Sequence, residues 1–314
     1  LGKVLHIIFI GGEPLLHPGR IERIAKGVRQ KLEGSGIPFS FGLTTNGVFL
    51  DEAMLDRLVP LGLTRAQITI DGNEATHKLT RVSKKGEDTF QKVFESAIRA
   101  SKRIEVKLNG NYTPETVDGF VPLLDKLKGA GFPCGSQVSF TPALEGLASP
   151  KTGTLGSSWS ESPVEVQDYL RHETERRGFK APEPGVVGPC EFHEHHSFAI
   201  DPSGTLYKCP GFLGETAWGI GHVASGLREE RYDAFVAATP QQSCDGCAHR
   251  PNCGGGCVAA AMLENGKLEG VRCEKHALDW QEMTLHKGQR QHFKAETAPN
   301  YSTSHSRRLT VLQR

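Results

Sequence analysis

The sequence has 314 residues, with 37 Lys+Arg against 36 Asp+Glu and a formal net charge of +1. That length buries a real core as one large domain or two smaller ones, and the near-neutral balance gives no electrostatic footprint for nucleic acid or an acidic membrane surface. The most apolar run, Val4 to Ile10, is far too short to span a bilayer and no signal-peptide pattern opens the chain, so the expectation is a soluble cytoplasmic protein.

In chain order, the first half alternates short apolar runs with amphipathic ones, the pattern of strand-helix units around a parallel sheet. VLHIIFI (4–10) reads as a buried strand, followed by a helix over about 21–32 and a strand FSFGLTT (39–45) closed by Asn46-Gly47. Leu55, Leu58 and Val59 share one face of a helix over 51–61, before the strand RAQITI (65–70). Thr89 is placed to cap a helix in which Phe90, Val93, Phe94, Ala97 and Ile98 recur at helical spacing. IEVKLN (104–109) is the next strand. Thr113-Pro114 is expected to open a helix with Phe120, Leu124 and Leu127 inward, and SQVSFTP (136–142) is the fifth strand.

Over about 144–186 the composition shifts to Gly, Ser and Pro, with one helix expected over 163–177, which reads as a bridge between two domains (1–143 and 187–285). Beyond about residue 286 the chain is polar, basic and aperiodic, as a disordered tail would be.

The strand ends carry the first chemistry. Gly11-Gly12-Glu13-Pro14 follows the first strand, where parallel α/β folds place ligands. Glycines there expose backbone, and carbonyls beside the Glu13 carboxylate suit an ammonium group. The same four residues also make an ordinary tight turn. LTTNG (43–47) and ITIDG (68–72) end two further strands with a polar residue and glycine, which also simply turn a chain, and Arg81 lies ten residues after Asp71.

Taken in order, GGEP, TTNG, IDG and the following Arg81 resemble the radical S-adenosylmethionine (SAM) superfamily. Over roughly residues 1–143 the resemblance implies a partial (β/α) TIM-like barrel, α/β in class, lacking its first unit. It assigns Gly11, Gly12, Glu13 and Pro14 to the SAM amino group, and makes Thr69 and Arg81 candidates for its carboxylate, with Asn46 and Asp71 in the same cofactor-binding set. Such enzymes carry three cysteines as C-x3-C-x2-C before GGEP. No cysteine precedes Cys134 here, so the reading expects a shortened form that does not cleave SAM by itself.

Seven of the eight cysteines lie between Cys190 and Cys273, late in a large chain, which favours metal thiolates over crosslinks. Thiolates suit iron-sulfur clusters and zinc. In CDGCAHRPNCGGGC (244–257) the cysteines are separated by two, five and three residues; Cys190, Gly204 and Cys209 upstream are separated by thirteen and four. With Cys273 this pattern resembles the SPASM domain, a small cysteine-rich auxiliary-cluster module, over about residues 187–285. The resemblance implies one 4Fe-4S cluster on Cys244, Cys247, Cys253 and Cys273, and another on Cys190, Cys209 and Cys257, whose fourth position is open to His196, to Cys134 or to substrate. Solvated loop histidines are the plainer account of His193, His195 and His196, and a small buried hydrophobe that of Cys134. Sulfatase-maturing relatives carry Asp just after the cysteine aligned with Cys209, where this chain has Pro210.

The resemblance therefore implies a peptide maturase: a SAM-derived 5'-deoxyadenosyl radical takes hydrogen from a peptide or small protein substrate, the auxiliary clusters accept an electron or position the substrate, and flavodoxin or ferredoxin supplies electrons. The charge balance and the short apolar runs give the expectation of no nucleic acid and no membrane, and no catalytic side chain is named. The alternatives are a noncatalytic cluster-binding or peptide-docking protein, and a structural zinc module.

Overall fold

The structure, a computed structural model, describes residues 4–81, 83, 86–142, 163–182, 192, 194–237, 244–253, 255–266, 268, 270, 271, 273, 275, 278 and 279. They fall into two units, one formed by the described residues up to 182 and the other by those from 192 onward.

In the first unit β1 (Leu5–Phe9), β2 (Phe39–Thr45), β3 (Leu63–Thr69), β4 (Glu105–Tyr112) and β5 (Val138–Pro142) form a sheet in sequential order, every neighbour parallel. A parallel neighbour requires a crossover, and most of these are helical: α1 (Pro18–Leu32), α2 (Glu52–Leu58), α3 (Glu74–Thr80), α4 (Phe90–Ala100) and α5 (Phe120–Gly129). This is the parallel α/β arrangement expected from the alternating pattern, and it agrees with the partial TIM-like fold that the resemblance implies.

Burial alternates along the strands. In β4 Val106, Leu108, Gly110 and Tyr112 are buried, whereas Glu105, Lys107, Asn109 and Asn111 are not. The apolar set joins Phe41, Leu43, Ala66, Ile68, Val138 and Phe140, with Phe90, Val93, Phe120 and Leu124 of the helices, in one core. Parallel sheets covered on both faces are usually apolar on both. In β4 of this sheet one face is polar.

Three local expectations are corrected. Thr89 does not cap α4: its φ of −105° and ψ of −6° are helical and it makes no cap bond, while Asp88 Oδ1 accepts from Phe90 N at 2.8 Å. Thr113 does not open α5 either. Its N–H donates to Thr116 Oγ1 at 2.9 Å, a short 3-10 turn covers Val117–Gly119, and α5 begins at Phe120. Helix α6 (Pro163–Arg176), expected in a bridge, packs with the first unit because Val166, Leu170 and Phe179 join its core. Lys180 then pairs beside β5, with Val138 N donating to Lys180 O at 2.8 Å.

The second unit is an antiparallel meander of β6 (Ala199–Ile200), β7 (Thr205–Tyr207), β8 (Gly221–His222) and β9 (Gly226–Leu227), with helices α7 (Glu229–Ala237), α8 (Arg250–Cys253) and α9 (Val258–Asn265). Its described core rests on Phe192, Tyr207, Phe212, Ile220, Phe235, Val258, Ala259 and Met262. Strands of two or three residues around so small a core are characteristic of units that depend on crosslinks or metals. Cys190, His193, most of the expected bridge and the expected tail lie outside the described residues.

Candidate functional site

At the carboxyl end of β1, Gly11 and Gly12 take φ values of 95° and 47°, a region that side chains other than glycine rarely adopt. Both are exposed, and a Cβ on either would meet nothing within 4 Å, so conformation rather than crowding requires glycine there. Their carbonyls accept from no described residue. Pro14 opens a short 3-10 turn, where its missing N–H is an orphan in any case.

Glu13 faces its own framework. Its Oε1 accepts from Leu15 N at 3.0 Å and Thr45 Oγ1 at 2.8 Å, and its Oε2 from Asn46 N at 2.8 Å. A carboxylate offers about four acceptor positions, so most of its capacity ties the glycine turn to the end of β2. Asn46 Oδ1 in turn accepts from Val48 N at 2.9 Å. These bonds hold two strand ends in one rigid corner and leave the bare glycine carbonyls as the open acceptors.

At the end of β3 the Asp71 carboxylate, almost wholly buried, collects three donors: Asn111 N at 2.8 Å, Arg81 Nε at 2.5 Å and Thr80 Oγ1 at 3.3 Å. Arg81 spends only Nε on this pair, and its two Nη groups bond to no described residue. Behind it lies His77, fully buried. Asp71 N–H donates to His77 Nδ1 at 3.2 Å, so the ring proton sits on Nε2 and points at Thr89 Oγ1, also 3.2 Å away. Thr89 then donates to Arg81 O at 3.2 Å. Burial is the first cause that lowers the His77 pKa from 6.5 to about 4, with Arg81 adding to it and the Asp71 and Asp88 charges opposing. The imidazole is neutral at ordinary pH, as this chain of bonds requires. Thr69, 9% exposed, ends β3 in register with Asn109.

The structure adds residues that the sequence reading missed. In register on the polar sheet face stand Thr44, Gln67 and Lys107, then Thr69, Asn109 and Ser139. Gln67 is exposed although β3 is the central strand, whereas Thr69 at the carboxyl end of the same face is buried. The signal was the period-two alternation of IEVKLNGNY, which marks a polar face as plainly as an apolar one.

In the second unit two cysteines cap helices. Cys209 Sγ accepts from Gly211 N at 3.3 Å, and Cys257, the N-cap of α9, accepts through Sγ from Ala260 N at 3.4 Å. The two caps are neighbours: a Cβ on Gly211 would lie 3.5 Å from Cys209 Sγ and 3.3 Å from Ala259 Cβ in the first turn of α9. Helix N-termini favour thiolates. The other group is electrostatically linked, because the Cys244 thiol is pushed up first by burial and then by Cys247, Cys253 and Cys273. Among the described residues no three His, Cys, Asp or Glu side chains close tightly enough to hold a metal ion. Charges act over longer distances than coordinate bonds, so the four thiols share a neighbourhood without a closed cage. His196 is exposed with an imidazole that bonds to no described residue, whereas the His195 ring lies 3.3 Å from Tyr232 OH. Cys134 is exposed in the first unit, not buried.

Residues 1–135 match the Radical SAM superfamily. A GTP 3',8-cyclase of Chlorobaculum tepidum is 38% identical over 110 residues, which are 34% of this chain and 30% of that protein. Among solved structures, native anSMEcpe with bound AdoMet and Kp18Cys peptide covers 90% of this chain and 82% of its own, at TM-score 0.66 and 18% identity. Streptococcus suis SuiB covers 86% of this chain and 66% of its own, at TM-score 0.57 and 14% identity. At those identities the structural likeness is one of fold. Among the described residues no helix is long and apolar enough to cross a membrane. The likeness to the Radical SAM superfamily thus lies in the first unit, over residues 1–135.

Proposed function

We propose that the protein is a radical SAM peptide maturase, whose first unit binds SAM and whose second holds two auxiliary 4Fe-4S clusters. The observation that carries this reading is the fold shared with anSMEcpe, whose structures hold AdoMet with the Kp18Cys or Cp18Cys peptide, across 90% of the chain. The match to the cyclase covers only 34% of the chain, so it supports the SAM-binding unit and not a nucleotide substrate.

The strand-end geometry fits an amino acid moiety. The open carbonyls of Gly11 and Gly12 accept its ammonium, held in place by the bonds from Glu13 to Thr45 and Asn46. The free Nη groups of Arg81, oriented by Asp71, meet its carboxylate, with Thr69 on the intervening strand end. SAM held there would supply hydrogen-abstracting radical chemistry once a reduced cluster, whose ligands are not assigned in this sequence, stood beside it. Gln67, Lys107, Asn109 and Ser139 on the polar face orient a peptide by hydrogen bonds. No residue of this sequence is assigned to the SAM-cleaving cluster.

The donor set of the second unit is soft, as iron-sulfur ligation requires. Cys244, Cys247, Cys253 and Cys273 serve one cluster, and Cys209 and Cys257 serve the other together with Cys190 and His196. The test is iron, sulfide and zinc per chain after anaerobic purification and reconstitution. About eight irons with equal sulfide are expected. Stoichiometric zinc with little iron sinks the cluster assignment and leaves a structural metal module.

A further inference from the structure

Arg81 is held at three points where α3 ends. Its N–H donates to His77 O at 2.8 Å, its Nε to the Asp71 carboxylate at 2.5 Å, and its own carbonyl accepts from Thr89 Oγ1 at 3.2 Å. His77 reaches every one of these points. Its carbonyl takes the Arg81 N–H, its Nδ1 accepts from Asp71 N at 3.2 Å, and its Nε2 meets Thr89 Oγ1 at 3.2 Å. Thr80, whose hydroxyl bonds the Asp71 carboxylate, also donates to His77 O at 3.2 Å.

The His77 ring is fully buried and stands edge-on to Phe90, with centroids 5.6 Å apart. An apolar side chain of similar size would fill that space without the desolvation cost of an imidazole. What the imidazole supplies instead is an acceptor for Asp71 and a donor for Thr89 at two corners of one rigid ring. It does so only when neutral, because a protonated ring turns a hydrogen against the Asp71 N–H. Burial keeps it neutral, as the first of the causes that lower its pKa to about 4.

We propose that His77 is a positioning residue for SAM: by bonding Asp71 through one ring nitrogen and Thr89 through the other, it fixes the Arg81 guanidinium where its two Nη groups meet the SAM carboxylate. This rests on the reading of the first unit as a SAM site, and it adds to that site two residues, His77 and Thr89, that act through Arg81.

The test titrates the full chain, by equilibrium dialysis, with SAM and with decarboxylated SAM, which keeps the amine, the sulfonium and the nucleoside. Wild type is expected to prefer SAM. Thr89→Val keeps the side-chain shape without the hydroxyl, and should weaken SAM about fivefold, the effect of one hydrogen bond, with decarboxylated SAM unchanged. Thr89→Ser restores the hydroxyl and the SAM affinity. His77→Leu loses both ring bonds and falls further in the same direction; if it does not fold, the Thr89 pair decides alone. Without ligand, 15N relaxation of the Arg81 Nε–H should show a looser guanidinium in Thr89→Val than in wild type or Thr89→Ser.

An undiminished preference for SAM in Thr89→Val, or an Arg81 Nε–H as rigid there as in wild type, overturns the proposal and leaves the SAM site standing. Equal weakening of both ligands also overturns it, since a purely structural role does not single out the carboxylate. A wild type that fails to distinguish the two ligands, or binds neither, overturns the SAM reading and the proposal together.

Discussion

Arg81 Nε meets the buried Asp71 carboxylate at 2.5 Å, and the pair joins the end of β3 to the residue that follows α3. The guanidinium is held through one edge and offers the other. Arg81→Lys keeps the charge but not the fork, so SAM affinity in equilibrium dialysis is expected to fall about tenfold, equivalent to about 1.4 kcal/mol. Because the Arg81 side chain is 30% exposed, the unfolding midpoint should barely move. Asp71→Asn loosens the guanidinium and the Asn111 contact together, and is expected to cost about 1–3 kcal/mol in urea unfolding as well as the affinity.

Glu13→Gln places an NH2 group among three donors, at least one of which then loses its acceptor. A loss of about 1–3 kcal/mol is expected in urea unfolding, since a buried donor left unpaired costs its desolvation. Unchanged stability together with lost SAM affinity would instead show the carboxylate turned toward the ligand.

His77 carries a pH dependence of definite sign. Its folded pKa, about 4, lies below the unfolded value of 6.5, so the unfolded chain binds a proton first as pH falls. Stability from this residue is complete above pH 6.5, declines between 6.5 and about 4, and levels off below. At 1.36 kcal/mol per pH unit the full loss is about 3 kcal/mol. The difference in unfolding free energy between wild type and His77→Gln, followed across that window, should shrink steadily toward acid. A difference independent of pH would mean that His77 is charged or solvated in the fold.

Cys257→Ser separates capping from ligation. Serine is a good N-cap, so α9 should keep its circular dichroism while the soft thiolate disappears. Iron is expected to fall by about four per chain, and by about four again when Cys247→Ala is added. Loss of all iron in the serine variant alone would mean that the two ligand groups serve one centre.

Much of this molecule could be read along the chain. β2 falls on FSFGLTT as expected, because a run of β-formers closed by Asn-Gly is a local signal. α4 starts at Phe90 for the same reason, although Asp88 rather than Thr89 bonds its first turn. Thr89 was unreadable there: its hydroxyl bonds Arg81 and faces His77, eight and twelve residues away, and only packing decides such a choice.

The sequence by itself determined the strand-helix alternation, the glycine turn and the cysteine spacing, since periodicity and loop closure are short-range properties. Tertiary structure decided partners. It turned Glu13 onto residues 32 and 33 positions away, drew α6 into the first core, and buried Lys208 against the Glu194 and Ser197 carbonyls. Each outcome depends on which groups water can reach after the chain has packed, and no local pattern encodes that.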